Sequence, residues 1–129
     1  MISAKTALTY KTTVTNNEHS IIADEPISVG GTNQGFTPME LLQVSLASCS
    51  SITVRMYATR KEWDVQAIDI NVDLMINSSN GENFLRKEVF LTGNLDEMQM
   101  NRLLDISKKC PVHKLLEKSI EIRSILKLK

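Results

Sequence analysis

The chain has no surplus of basic over acidic residues. Fifteen lysines and arginines face fifteen aspartates and glutamates, with no long block of one sign. Nucleic-acid binders draw most of their affinity from phosphate neutralisation, so this balance argues against such a partner. No run approaches the roughly 20 apolar residues a membrane helix needs. The opening MISAKTALTYKTTV alternates polar and apolar residues where a signal peptide would place a basic stretch and an apolar core, which makes the cytoplasm the expected compartment. Only two cysteines are present, Cys49 and Cys110. Without a secretory signal, they are better read as reduced thiols or a catalytic redox pair than as a structural staple. A zinc site would have to combine Cys49, Cys110, His113 and His19, which are scattered over the chain without paired ligand spacing, so no metal is expected. There is also no GxGxxG and no Walker lysine, and no cofactor is expected.

What is present suits one globular domain spanning residues 1–129, with 42% apolar and 23% charged residues. Residues 5–15 have strand periodicity, with Leu8, Tyr10, Thr12 and Val14 on one face, and Asn16-Asn17 suits a hairpin turn. A second strand is expected at residues 19–23 and a third, short one at residues 27–29 after Pro26. A loop follows with glycines at 30, 31 and 35, where the missing Cβ atoms permit close approach to a partner or a substrate, the alternative being a flexible connection from sheet to helix. Residues 66–77 alternate cleanly, with Ile68, Ile70, Val72, Leu74 and Ile76 on one face. A turn at residues 78–83 then returns a strand over 84–92 with Leu85, Val89 and Leu91 inward. Asn94 or Asp96 caps an expected helix over 95–109, a short helix follows Pro111, and a last strand is expected over residues 120–128. The order of elements predicts an α+β fold, an antiparallel sheet packed against helices on one side.

The segment TPMELLQVSLASCSSITVRMYATR, residues 37–60, organises the chain. Thr37 as N-cap, Pro38 as first helical residue and Glu40 as reciprocal partner predict a helix that ends near Arg60. At about 100° per residue, Cys49 shares a face with Ser45, Leu46, Ile52, Thr53 and Met56. It lies too far into the helix for end amides to activate it, so a core cysteine and a thiol activated by another segment both remain open. Cys110 precedes Pro111 at a helix start, where a thiolate is favoured. His113 either polarises that thiol or decorates the short helix.

The run GGTNQGFTPMELLQVSLASCSSITVRMYATRKEW and the later CPVHKLLEKS together resemble the OsmC/Ohr family of thiol-dependent organic hydroperoxide reductases. The glycine-rich loop, the proline-headed helix with its cysteine eleven residues after Pro38, and the CPVH setting of the second cysteine occur in the family's order. The resemblance implies an OsmC-like fold in an intertwined homodimer with the site at the subunit interface. It further implies that Cys49 is the peroxidatic residue, oxidised by a small hydroperoxide to a sulfenic acid, and Cys110 the resolving residue. A dithiol then reduces the resulting disulfide. Met39 stands where the well-studied reductases carry a glutamate, and the first arginine in the chain is Arg55. The wording TPMELL and SCSSITVRMYATRK is closer to the OsmC-like branch of the family. A reading from another class is a binding module that holds an apolar ligand in the dimer cleft with idle cysteines.

Overall fold

The helix start encoded by Thr37, Pro38 and Glu40 is present in the computed structural model, which describes residues 1–77 and 79–128. The Glu40 amide donates to Thr37 Oγ1 at 3.2 Å and the Thr37 amide to Glu40 Oε2 at 2.7 Å, a reciprocal capping box. Helix α1 then runs Pro38–Arg60. It ends where Glu62 adopts φ 55° and the Trp63 amide reaches back to the Ala58 carbonyl at 3.0 Å. The chain divides into two compact units, one of residues 1–44 and one beginning at Ser45.

The first unit holds an antiparallel sheet of three short strands in the order β1 (Ser3–Thr6), β2 (Thr12–Thr15), β3 (Ser20–Ala23). The single strand expected over residues 5–15 is therefore two, paired Ser3 to Thr15 through Thr6 to Thr12. Asn17 takes φ 79° in the second turn, as the asparagine pair predicts. Residues 27–29 form a 3-10 turn and not a strand. Pro26 heads the turn in extended geometry, Gly30 closes it at φ 96°, and Ile27 and Val29 are exposed.

The glycine loop is packed against its own chain. A Cβ on Gly31 would fall 1.9 Å from the Glu25 carbonyl oxygen, and one on Gly35 would fall 2.1 Å from that of Ile22. Asp24, which is buried, fixes the loop by accepting the amides of Glu25 at 2.8 Å, Thr32 at 3.3 Å and Gln34 at 3.2 Å, together with the Thr32 hydroxyl. These bonds, that of the Thr32 hydroxyl foremost, hold the Asp24 carboxyl down at about 2. The folded form thus binds a proton less readily than the unfolded chain. The charge stabilises the fold above about pH 4, and this contribution is lost as pH falls toward about 2. Asp24→Asn is expected to lower the melting temperature at pH 7 by several degrees and to flatten the melting-temperature slope between about pH 2 and 4. An unchanged slope in thermal melts across that range would refute the assignment.

The second unit pairs β4 (Val65–Ile76) with β5 (Asn83–Gly93) in one long antiparallel ladder, Ile68 opposite Leu91, Ile70 opposite Val89, Val72 opposite Lys87 and Leu74 opposite Leu85. Ile68, Ile70, Val72 and Leu74 are half-buried while the residues between them are exposed, the alternation the sequence predicts. The turn expected over residues 78–83 begins on Ser78, outside the described residues; beyond it, Gly81 takes φ 70° and donates to the Asn77 carbonyl at 2.9 Å. Helix α2 (Glu97–Ser107) is capped by Asp96 with Gln99 at N3, and α3 (Pro111–Leu116) is capped by Cys110. Val54 and Ala58 of α1, Val65 of β4, and Leu103 and Ile106 of α2 form the core, with Tyr57, Trp63, Ile68, Leu91 and Leu95 packed around it. This is an α+β architecture of antiparallel sheets and helices.

The final strand expected over residues 120–128 is not formed. Alternation alone does not make a strand, which needs a partner ladder for its backbone groups, and Ile122, Leu126 and Leu128 are 86%, 98% and 100% exposed in the single chain.

Candidate active site

Cys110 is positioned by the break that proline imposes. Extended at φ −63° and ψ 144°, it ends the α2 segment, and Pro111 starts α3 behind it. The side chain is fully buried, and its Sγ accepts the His113 amide at 3.3 Å. Ser50 Oγ lies 3.4 Å from the same sulfur. Burial by itself pushes the Cys110 thiol up, but the hydrogen bonds from Ser50, the His113 amide and Cys49, with the charge of Lys87, outweigh it and bring the thiol below its ordinary range.

Cys49 is placed differently. Helix α1 buries Leu46, Ser50, Val54 and Ala58, a stripe at four-residue spacing that faces the second unit's core. One residue before Ser50, Cys49 falls at the edge of that stripe and is half-buried. It opens on a cavity of about 470 Å³ lined by Ser45, Ile52, Met56, Pro111 and Val112 among others. The face expected to be buried is therefore buried only in part: Ile52 and Met56 beside Cys49 are 59% and 68% exposed. Both cysteines are free thiols.

The residue the sequence reading passed over is Lys87. It lies on the half-buried face of β5 between Leu85 and Val89, opposite Val72. Its Nζ donates to Ser50 Oγ at 3.0 Å and to the Ser107 carbonyl at 2.7 Å, and lies 3.3 Å from His113 Nδ1. Burial holds the Lys87 ammonium below its ordinary range, with the two cysteines opposing that shift. On its other side, His113 Nε2 pairs with Glu117 Oε1 one turn along α3 at 3.0 Å. Lys87 and His113 also line a second cavity of about 370 Å³ whose other walls include Leu46, Leu74, Phe84 and Leu116. Period-two counting along β5 already places Lys87 among Leu85, Val89 and Leu91, and a lone cation on an apolar strand face was the available signal.

The other charged candidates are engaged elsewhere. Glu40 serves the α1 cap, and the Arg55 guanidinium donates to the carbonyls of Val65 and Gln66. His19 belongs to the turn before β3, and its amide is bound by Asn16 Oδ1. Among the described residues no group of three or more histidine, cysteine or acidic side chains could hold a metal ion, and no helix is long and apolar enough to cross a membrane.

No curated protein matches the chain significantly. Solved structures with the same fold include an OsmC-like protein from Mycoplasma pneumoniae, with TM-score 0.76 and 23% identity, covering 91% of this chain and 86% of that one. They also include an organic hydroperoxide resistance protein from Legionella pneumophila, with TM-score 0.66, 17% identity and coverage of 90% and 87%. A third is the organic hydroperoxide resistance protein OhrB of Bacillus subtilis, with TM-score 0.60, 19% identity and coverage of 89% and 87%. The family profile described as OsmC-like protein matches residues 31–124, from the glycine loop through both cysteines, and the chain belongs to that family.

Proposed function

We propose that the protein is a thiol-dependent peroxidase that reduces a small organic hydroperoxide by cycling Cys49 and Cys110 between dithiol and disulfide. The observation that carries this reading is a pair of free thiols in unlike settings: Cys49 opens on a cavity that Pro111 and Val112, the two residues after Cys110, also line, and Cys110 is fully buried among hydrogen-bond donors. The Cys49 thiolate attacks the peroxide oxygen, the O–O bond breaks, an alcohol leaves with a proton, and Cys49 is left as a sulfenic acid. Cys110 then displaces water from it to form the disulfide, and an external dithiol restores both thiols. Family membership and neighbours described as hydroperoxide resistance proteins support the chemistry.

The working unit in this reading is a homodimer. The exposed apolar residues of the last nine described positions and those flanking Cys49 give a second copy surface to cover, and light scattering at twice 14.5 kDa is the matching result. Cumene hydroperoxide added to the reduced protein is expected to remove both thiols of each chain within minutes and to give one disulfide between Cys49 and Cys110 in mass spectrometry. Survival of both thiols in excess peroxide, with the circular dichroism unchanged, would sink the reading. The apolar cavity of Leu46, Leu74, Phe84 and Leu116 favours a second one, an apolar-ligand carrier. A double cysteine-to-serine variant that binds a long-chain apolar probe as tightly as the wild type would favour the carrier.

A further inference from the structure

Lys87 of β5 meets α1, α2 and α3 through a single nitrogen. An ammonium has three hydrogens and no acceptor, and Lys87 Nζ has three acceptors in reach: Ser50 Oγ at 3.0 Å, the Ser107 carbonyl at 2.7 Å and His113 Nδ1 at 3.3 Å. With His113 Nδ1 accepting, its proton lies on Nε2, which donates to Glu117 Oε1 at 3.0 Å. With Ser50 Oγ accepting from Lys87, the Ser50 hydroxyl hydrogen is free to point at Cys110 Sγ, 3.4 Å away. The His113 amide donates to the same sulfur at 3.3 Å. Both groups hydrogen-bonded to the Cys110 sulfur can act as donors, the environment of an anion.

The charges agree. No carboxylate pairs with Lys87 among the described residues, because Glu117 is bound to His113 and Asp105 lies against Lys108. The ionisable groups that act on it are Cys110 at the head of α3, Cys49 on α1, Lys108 after α2, and His113 and Glu117 on α3. A half-buried ammonium without a carboxylate partner needs a counter-charge, and a thiolate at Cys110, one Ser50 hydroxyl away, supplies one.

We propose that Lys87 is the counter-ion of a Cys110 thiolate, acting through the Ser50 hydroxyl, and that the sulfur so held closes the disulfide on Cys49. The closing step rests on the peroxidase reading; the ion pair does not. In that step the Cys110 sulfur attacks the sulfenic sulfur of Cys49, the S–S bond forms and the S–O bond breaks with its electron pair. The hydroxide takes one proton from solvent at the open side of Cys49 and leaves as water. Cys110 is oxidised and the sulfenic sulfur reduced. Lys87 is a positioning residue, touching neither peroxide nor sulfur.

The test is a pH titration of thiolate absorbance at 240 nm in a Cys49→Ser background, where Cys110 is the sole thiol. Adding Lys87→Met is expected to raise the Cys110 midpoint by about 1 to 2 pH units, Ser50→Ala to raise it as well, and Lys87→Arg to restore most of the depression. A folded Lys87→Met protein with an unshifted midpoint overturns the proposal. Should Lys87→Met not fold, the reciprocal measurement decides. In Cys110→Ser the Lys87 ammonium, followed by NMR of its side chain, must titrate at lower pH than in the wild type, and an unchanged titration overturns the proposal equally. No peroxide enters these titrations. A shifted midpoint in a protein whose thiols survive peroxide therefore rejects the peroxidase and keeps the ion pair, and normal disulfide formation with an unshifted midpoint does the reverse.

Discussion

Cys49→Ser is expected to abolish peroxide consumption, a loss of about 10³-fold or more, while Cys110→Ser still consumes one equivalent of peroxide and then stops. The two outcomes differ because the two sulfurs are placed differently. Cys49 opens on the cavity between Ile52, Met56 and Val112, whereas Cys110 has no exposed surface. A hydroxyl in place of the Cys49 sulfur is a far weaker nucleophile at neutral pH, and its removal from a unit of cooperating groups costs orders of magnitude. Without Cys110 the sulfenic acid at Cys49 has no partner thiol, so a dimedone-type reagent should add one label to the Cys49 peptide. A Cys49→Ser protein that still takes up peroxide, together with an inert Cys110→Ser protein, would assign the first attack to Cys110 and reverse the roles.

The sequence made the local signals of this fold legible and left the pairings in part obscure. The α1 start was readable because Thr37, Pro38 and Glu40 satisfy one another within four residues, and the β4–β5 ladder because its alternation runs uninterrupted from Ile68 to Leu74. Residues 27–29 looked like a strand because two of the three are β-branched aliphatic residues, but a strand is decided by a neighbouring edge and the turn by Pro26 and Gly30. The C-terminal alternation failed because a strand also needs a partner ladder, and residues 120–128 pair with no other described strand. The two thiols were legible as candidates, and the cap at Cys110 followed from Pro111. That Ser50, Ser107, Lys87 and His113 meet around them was not, because those residues lie on three helices and a strand and nothing local links position 50 to position 87. Only the inward register of Lys87 hinted at it.

Leu103→Ala is expected to be the most destabilising single truncation in the second unit, costing about 3 kcal/mol within the range of about 2 to 5 found for buried leucines. Leu103 is fully buried in the core shared by α1, β4 and α2, against Val54, Ala58, Val65 and Ile106, so a cavity there has walls on three elements that cannot all collapse inward. The neighbouring Leu104 is turned about 100° around α2 and is 41% exposed, so Leu104→Ala should cost less than about 1 kcal/mol. Thermal melts at one protein concentration should place Leu103→Ala on the order of 10 °C below the wild type and Leu104→Ala within a few degrees of it. The loss should reach the candidate site, because Val54 and Ala58 lie on the same α1 stripe as Ser50, and loosening that stripe moves the hydroxyl that joins Lys87 to Cys110. In the Cys49→Ser background, Leu103→Ala should therefore also raise the Cys110 thiolate midpoint, by less than Lys87→Met does. Equal melting temperatures for the Leu103 and Leu104 variants would mean that the α1–α2 core is not what holds this unit together.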